Sequence, residues 1–148
     1  MMTNEMIAAI ATTGVLAASA VAALIRYLMH AIGYSKMYRK AGVAGWKAFI
    51  PVYDIYNNYK ISWNGKLFFL YAALMVVSSV LGFFTEGTMA VVASVISIGI
   101  VYMTVKQNVK MAKAFGKGFG TGIALILFPG ITSLVLGLGK AEYNKNEQ

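Results

Sequence analysis

Four lysines, Lys106, Lys110, Lys113 and Lys117, form the most regular array of functional groups in the chain. Spaced three or four residues apart, they fall on one stripe of a helix, where like charges repel one another unless an anion lies opposite. Anionic lipid headgroups would meet that need, at about 1 kcal/mol per lysine close to a membrane surface. A solvated face that only sets orientation is the plainer reading. Gly116 is placed to end the helix before Lys117 joins the stripe. Lys36, Arg39 and Lys40 form a second basic cluster. The strings Lys36-Met-Tyr-Arg-Lys-Ala-Gly42 and Lys110-Met-Ala-Lys-Ala-Phe-Gly116 share K-M-x-[RK]-x-x-G half a chain apart, a weak internal echo. All seven basic residues are expected as anionic-lipid contacts.

Other chemistry is sparse. There is no cysteine, which removes thiolate nucleophiles, disulfides and cysteine metal sites. The lone His30 cannot make a metal site by itself. Glu5, Asp54, Glu86, Glu142 and Glu147 are scattered, so no acid/base pair is apparent. Gly116, Gly118, Gly120 and Gly122 alternate strictly and lack the Gly-Lys-Ser/Thr ending of a phosphate loop. No cofactor, metal or catalytic activity is expected. Arg26 and His30 lie one helical turn apart and read as headgroup-level residues, with proton sensing by His30 as a second reading. A cleft gathering Asp54, His30 and Arg26 would argue for an enzyme instead.

The elements that must carry these groups are hydrophobic. The chain has 148 residues, 59% hydrophobic and 12% charged, with a formal net charge of +8. The charged share is about half that of a soluble domain. The positive balance therefore points to the cytoplasmic loops of a membrane protein, not to nucleic acid. Residues 6–25 carry no charge, and a span over about 6–29 is expected. Further apolar segments cover 67–84, 88–105 and 119–138. The segment before residue 6 is acidic and the basic residues follow the span, so an uncleaved span with the N-terminus outside is expected. Gly14, Ala18 and Ala22 form a small-residue ladder suited to close helix packing, within the chain or between copies. Phe128-Pro129-Gly130 should kink the fourth segment, or turn it back as a re-entrant hairpin; a kinked crossing is favoured by its length. The apolar runs 6–25, 67–84, 88–105 and 119–138 hold no Asp, Glu, Lys, Arg or His, which argues against ion-coupled transport and leaves a hydroxyl-lined pore open.

Residues 43–61 are too polar to cross and too aromatic for an ordinary loop. Trp46, Phe49, Ile50, Tyr53 and Tyr56 share one helical arc, and Lys47, Asp54 and Asn58 share a narrow polar stripe. Pro51 predicts a break near Ile50 and a second helical piece beginning at the proline. Trp46, Tyr53, Tyr56, Tyr59 and Trp63 are the expected interfacial anchors. The fold class is thus an all-α integral membrane protein, one domain over 1–148. It has four apolar segments and an amphipathic interfacial helix pair on the cytoplasmic side. The apolar segments make the chain multi-pass, and the positive-inside rule puts its two basic loops, residues 26–66 and the connection holding Lys106, Lys110, Lys113 and Lys117, on the cytoplasmic side.

Several strings are familiar: Lys40-Ala-Gly-Val-Ala-Gly-Trp46, Ile50-Pro-Val-Tyr-Asp-Ile-Tyr56, Ala112-Lys-Ala-Phe-Gly-Lys117 and Gly137-Leu-Gly-Lys-Ala-Glu-Tyr143. Over roughly residues 36–143 the chain resembles an uncharacterised family of small bacterial multi-span membrane proteins. Their pattern is K-A-G-x-x-G-W, I-P-x-Y-N-x-Y and A-x-A-F-G-K. Asp54 departs from the pattern's Asn. The resemblance implies a bacterial cytoplasmic membrane and no activity. Three functions are carried forward. The first is a non-catalytic membrane subunit that associates with itself or another membrane protein and contacts anionic lipid. The second is a small oligomeric channel, and the third a membrane-embedded enzyme.

Overall fold

The computed structural model describes residues 3–84 and 86–147, the side chain of Glu147 excepted. Thr85, part of the expected connection at 85–87, lies outside the described residues. Every described regular element is helical. α1 spans Asn4–Lys40, α2 Pro51–Ser62, α3 Lys66–Leu81, α4 Gly87–Ala114, α5 Phe119–Leu127 and α6 Pro129–Leu138. A 3-10 turn, Gly45–Phe49, precedes α2, and another, Lys145–Glu147, ends the chain.

Local rules account for most boundaries. The Thr3 side chain accepts from the Met6 N–H and caps α1, with Glu5 in the first turn facing the positive end of the helix dipole. The break at Ile50 occurs where Pro51 requires it, with Ile50 in extended geometry at φ −113°, ψ 113°. α1 and α4 end alike. Gly42 and Gly116 take positive φ, 74° and 66°. The Val43 N–H bonds the Tyr38 carbonyl and the Lys117 N–H bonds the Ala112 carbonyl. These are matching glycine-terminated caps, so the internal echo seen in the sequence is a structural one. Met37 and Met111, equivalent positions within it, are both fully buried.

The molecule divides into stems and a base. α1 and α4 are long and apolar enough to cross a membrane. Their most apolar windows are 0% and 6% buried, unlike the core helix of a soluble protein. At 37 and 28 residues they run about 55 Å and 42 Å, longer than a hydrocarbon core of about 30 Å. Their lower, C-terminal ends carry their buried residues. Those ends, with α2, α5, α6 and the tail, build the base, whose core holds Tyr34, Met37, Tyr38, Ile61, Met111, Phe115, Leu125 and Leu136. α3, with 16 residues, buries none of them and pairs with α4.

The fourth apolar segment is not a kinked crossing helix. It is a hairpin of two short helices, nine and ten residues long. The Thr132 hydroxyl donates to the Ala124 carbonyl at 3.0 Å, a contact that a continuous helix cannot make across eight residues. α5 lies on α4 and α6 lies on α1. Glycines make both approaches possible. A methyl on Gly122 would stand 2.6 Å from the Val109 Cα, and one on Gly33 would stand 2.7 Å from the Leu134 nitrogen. With α5 climbing α4 and α6 descending along α1, backbone bonds are satisfied within each short helix while the pair turns back.

Candidate functional site

The chemistry-bearing residues gather on the base, in three places. The first joins α1 to α2. His30, Tyr34 and Tyr38 recur every four residues and line one face of α1. His30 Nε2 lies 2.9 Å from Asp54 Oδ2 on α2, an ion pair whenever the imidazole is protonated. The Tyr38 hydroxyl donates to Asp54 Oδ1 at 2.5 Å and also lies 2.7 Å from the Asp54 carbonyl and 3.0 Å from the Asn58 amide. His30 stacks on Tyr34, ring centroids 4.3 Å apart. Burial, reinforced by the Asp54 charge, pushes the phenols of Tyr34 and Tyr38 well above the usual tyrosine range. They stay neutral, and Tyr38 remains a donor. Nearby, the Tyr27 hydroxyl donates to the Phe49 carbonyl at 2.5 Å.

This docking turns the amphipathic element around. Asp54 and Asn57 are buried against the base, while Trp46, Phe49, Ile50, Val52, Tyr53 and Ile55 face outward. Asp54 and Asn58 of the polar stripe meet the protein, because His30 and Tyr38 offer partners there. Trp46 and Tyr53 remain exposed, edge to face at 5.7 Å, and Tyr56 packs against Phe68 and Phe69. Tyr59 corrects the list of interfacial anchors. It is 3% exposed and stacked on Tyr71 at 5.4 Å, and burial raises its phenol above the ordinary range.

The second place is the lysine stripe. Lys106, Lys110 and Lys113 lie on α4, and Lys117 lies beyond its end, as Gly116 dictates. Lys106 donates to the Tyr102 hydroxyl at 2.8 Å. Its ammonium sits 4.8 Å from the Trp63 ring centroid, and that of Lys110 sits 5.7 Å from it. Trp63 is therefore half-buried beneath two cations rather than a free anchor. With Tyr102, Val105, Val109 and Phe119, the three helical lysines edge a groove of about 260 Å³. On the other cluster, Lys40 departs from expectation. Its ammonium donates to the carbonyls of Leu136, Gly139 and Ala141 at 2.7–2.8 Å. All three protons are used to close the C-terminal end of α6, where the helix dipole is negative. Arg39 is exposed and Lys36 half-buried, its Cβ 2.8 Å from where a methyl on Gly137 would stand.

The third place is a cleft between α1 and the hairpin tip, lined by Arg26. Arg26 thus stands apart from the His30–Asp54 pair, and the three residues do not form one cleft. Among the described residues no three His, Asp or Glu side chains gather as a metal site would need. On the stems, Gly14 has no atom within 4 Å of where its Cβ would be, so the small-residue ladder is unfilled there. The hydroxyls of Thr12, Thr13, Ser19, Ser79, Ser94 and Ser97 all bond carbonyls of their own helices. The role of Tyr38 and the cap made by Lys40 escaped sequence reading. The four-residue recurrence of His30, Tyr34 and Tyr38 was the available signal for the first; nothing local marks the second.

The pattern of one family, DUF5684, matches residues 46–146, from the first exposed tryptophan to the tail that packs on α2 and α4. The chain belongs to this family of unknown function. The match covers most of the base and all of α3 and α4, and begins after α1 has ended. No curated protein and no solved structure matches the chain. Within the matched region, Asp54 supplies the carboxylate that pairs with His30.

Proposed function

We propose that this DUF5684 protein is a non-catalytic integral membrane subunit whose base lies at the cytoplasmic headgroup layer and holds anionic lipid along the α4 lysine stripe. The observation that carries the reading is the groove edged by Lys106, Lys110 and Lys113 and floored by Val105, Val109 and Phe119. Cations beside an apolar floor suit a phosphate headgroup with its acyl chain. The outward apolar face of residues 46–55 and the exposed Ile131, Val135 and Leu138 of α6 support a base embedded at the membrane rim. The basic residues at the lower ends of α1 and α4 support, by the positive-inside rule, a cytoplasmic base and an N-terminus outside. The bare upper stem of α1, exposed along residues 3–28, supports packing with a second copy or another membrane protein.

Native mass spectrometry from mixed neutral and anionic lipid tests this. The triple change Lys106→Gln, Lys110→Gln, Lys113→Gln should weaken retention of anionic lipid by up to about 3 kcal/mol. Retention by the native protein should fall as salt rises. Equal retention by the two proteins would leave the stripe only an orienting role.

A further inference from the structure

The cleft between α1 and the tip of the α5–α6 hairpin has a volume of about 470 Å³. Its walls are Ile25 and Met29 on one side and Leu127, Phe128 and Ile131 on the other, apolar throughout except for Arg26. We propose that it is a binding site for a single-chain anionic amphiphile of the long-chain fatty-acid class, its chain between those walls and its carboxylate on Arg26.

Three observations carry this. First, Arg26 has no acidic partner. Among the described residues the one ion pair is His30–Asp54, and Asp54 is also bonded by Tyr38. A guanidinium beside an apolar cleft calls for an anion from outside, and its planar fork suits a carboxylate. Second, α6 begins at the cleft. Pro129 has no N–H, and the first backbone bond into the helix is made by Thr132 to Phe128. The N–H groups of Gly130 and Ile131 precede it at the positive end of the helix, in residues that line the same cleft as Arg26. Gly130 allows this approach: a methyl there would lie 3.1 Å from the Met29 Cβ and 3.7 Å from the Arg26 carbonyl oxygen. Third, Arg26 immediately follows the charge-free run of residues 6–25, so it stands at the hydrocarbon boundary, the depth of a fatty-acid carboxylate. The volume is at the small end for ligand pockets, which fits one chain better than the two of a phospholipid. The site lies on α1 and the hairpin tip and shares no residue with the lysine groove.

The test is photolabelling of the full-length protein in neutral phosphatidylcholine nanodiscs with a diazirine-bearing palmitate. Labels should map to Ile25, Met29, Phe128 or Ile131. Palmitate should compete, and hexadecanol and phosphatidylglycerol should not. Arg26→Gln should cut labelling about tenfold, and Arg26→Lys should restore most of it. Ile131→Trp, which fills the cleft, should block labelling while circular dichroism shows unchanged helicity. The triple lysine-to-glutamine protein should label normally, which separates this site from the headgroup stripe. Equal labelling of Arg26→Gln and native protein, equal competition by hexadecanol, or stronger competition by phosphatidylglycerol would overturn the proposal.

Discussion

The base and the stems use the same kinds of residue to opposite ends. In the base, glycines at Gly33, Gly122 and Gly137 let helices touch backbone to backbone. In the stem, Gly14 touches nothing. In the base, Tyr38, Asp54 and Asn57 are buried and the apolar residues of 46–55 look outward. In the α1 stem the side chains are exposed all round, and the hydroxyls of Thr12 and Ser19 there, like that of Ser94 on α4, turn back on their own helices. The difference shows where the fold's specificity resides. A helix in hydrocarbon is stable without neighbours, because its backbone bonds are internal and lipid accepts its side chains. The base must bring several helical segments together, and it does so with a buried apolar core, polar contacts and the close approach of small residues.

The largest expected effect tests that contrast directly. Gly33→Ala should cost about 2–3 kcal/mol, because the methyl collides with the backbone of α6 and Ser133. Gly14→Ala should change stability by no more than about 1 kcal/mol, and favourably, since helix propensity rises with nothing to clash. Denaturant titration in neutral detergent measures both. Equal losses would mean that the stem ladder is packed as tightly as the base, which a shift in oligomeric state on Gly14→Leu would then locate between copies.

Removing the carboxylate of the α1–α2 junction comes next. Asp54→Ala should cost about 2 kcal/mol, since it removes the carboxylate shared by the Tyr38 hydroxyl and the His30 ring, leaving Tyr38 only the Asp54 carbonyl and Asn58. In a double-mutant cycle with His30→Ala the two changes should couple by about 1 kcal/mol, since each removes the same contact. Strictly additive losses would mean that the contact contributes nothing to stability.

The alkaline limb should show the smallest change per pH unit. Tyr34 and Tyr38 have raised phenol values in the folded state, chiefly from burial and then from Asp54. The unfolded chain releases these protons near pH 10 and the folded one holds them. Above that pH the unfolded state binds fewer protons, so stability falls as pH rises. It is unaffected by these groups below it. The slope should reach about 1.4 kcal/mol per pH unit for each tyrosine. Tyr34→Phe should lessen the slope, and unfolding followed between pH 9 and 11 would show it.

Local rules carried a good part of this structure. The all-helical class, the apolar lengths of α1 and α4, the break that Pro51 forces at Ile50 and the stop that Gly116 makes before Lys117 are written in short windows of sequence. Each depends on residues within a turn or two: a missing N–H, a positive φ, a run without charge. The glycine echo of Gly42 and Gly116 was visible for the same reason. The tertiary structure alone decided what faced what. Phe128-Pro129-Gly130 permits a kink or a reversal, and the contacts of α5 with α4 and α6 with α1 chose reversal. The periodicity of residues 46–58 defines two faces but does not say which docks. Beside lipid either face can turn outward, and the partners waiting on α1 drew Asp54 and Asn58 in. Lys40 looked like one more cation until three carbonyls from the far end of the chain met it. Charge and periodicity are properties of a segment, whereas a partner is a property of the fold.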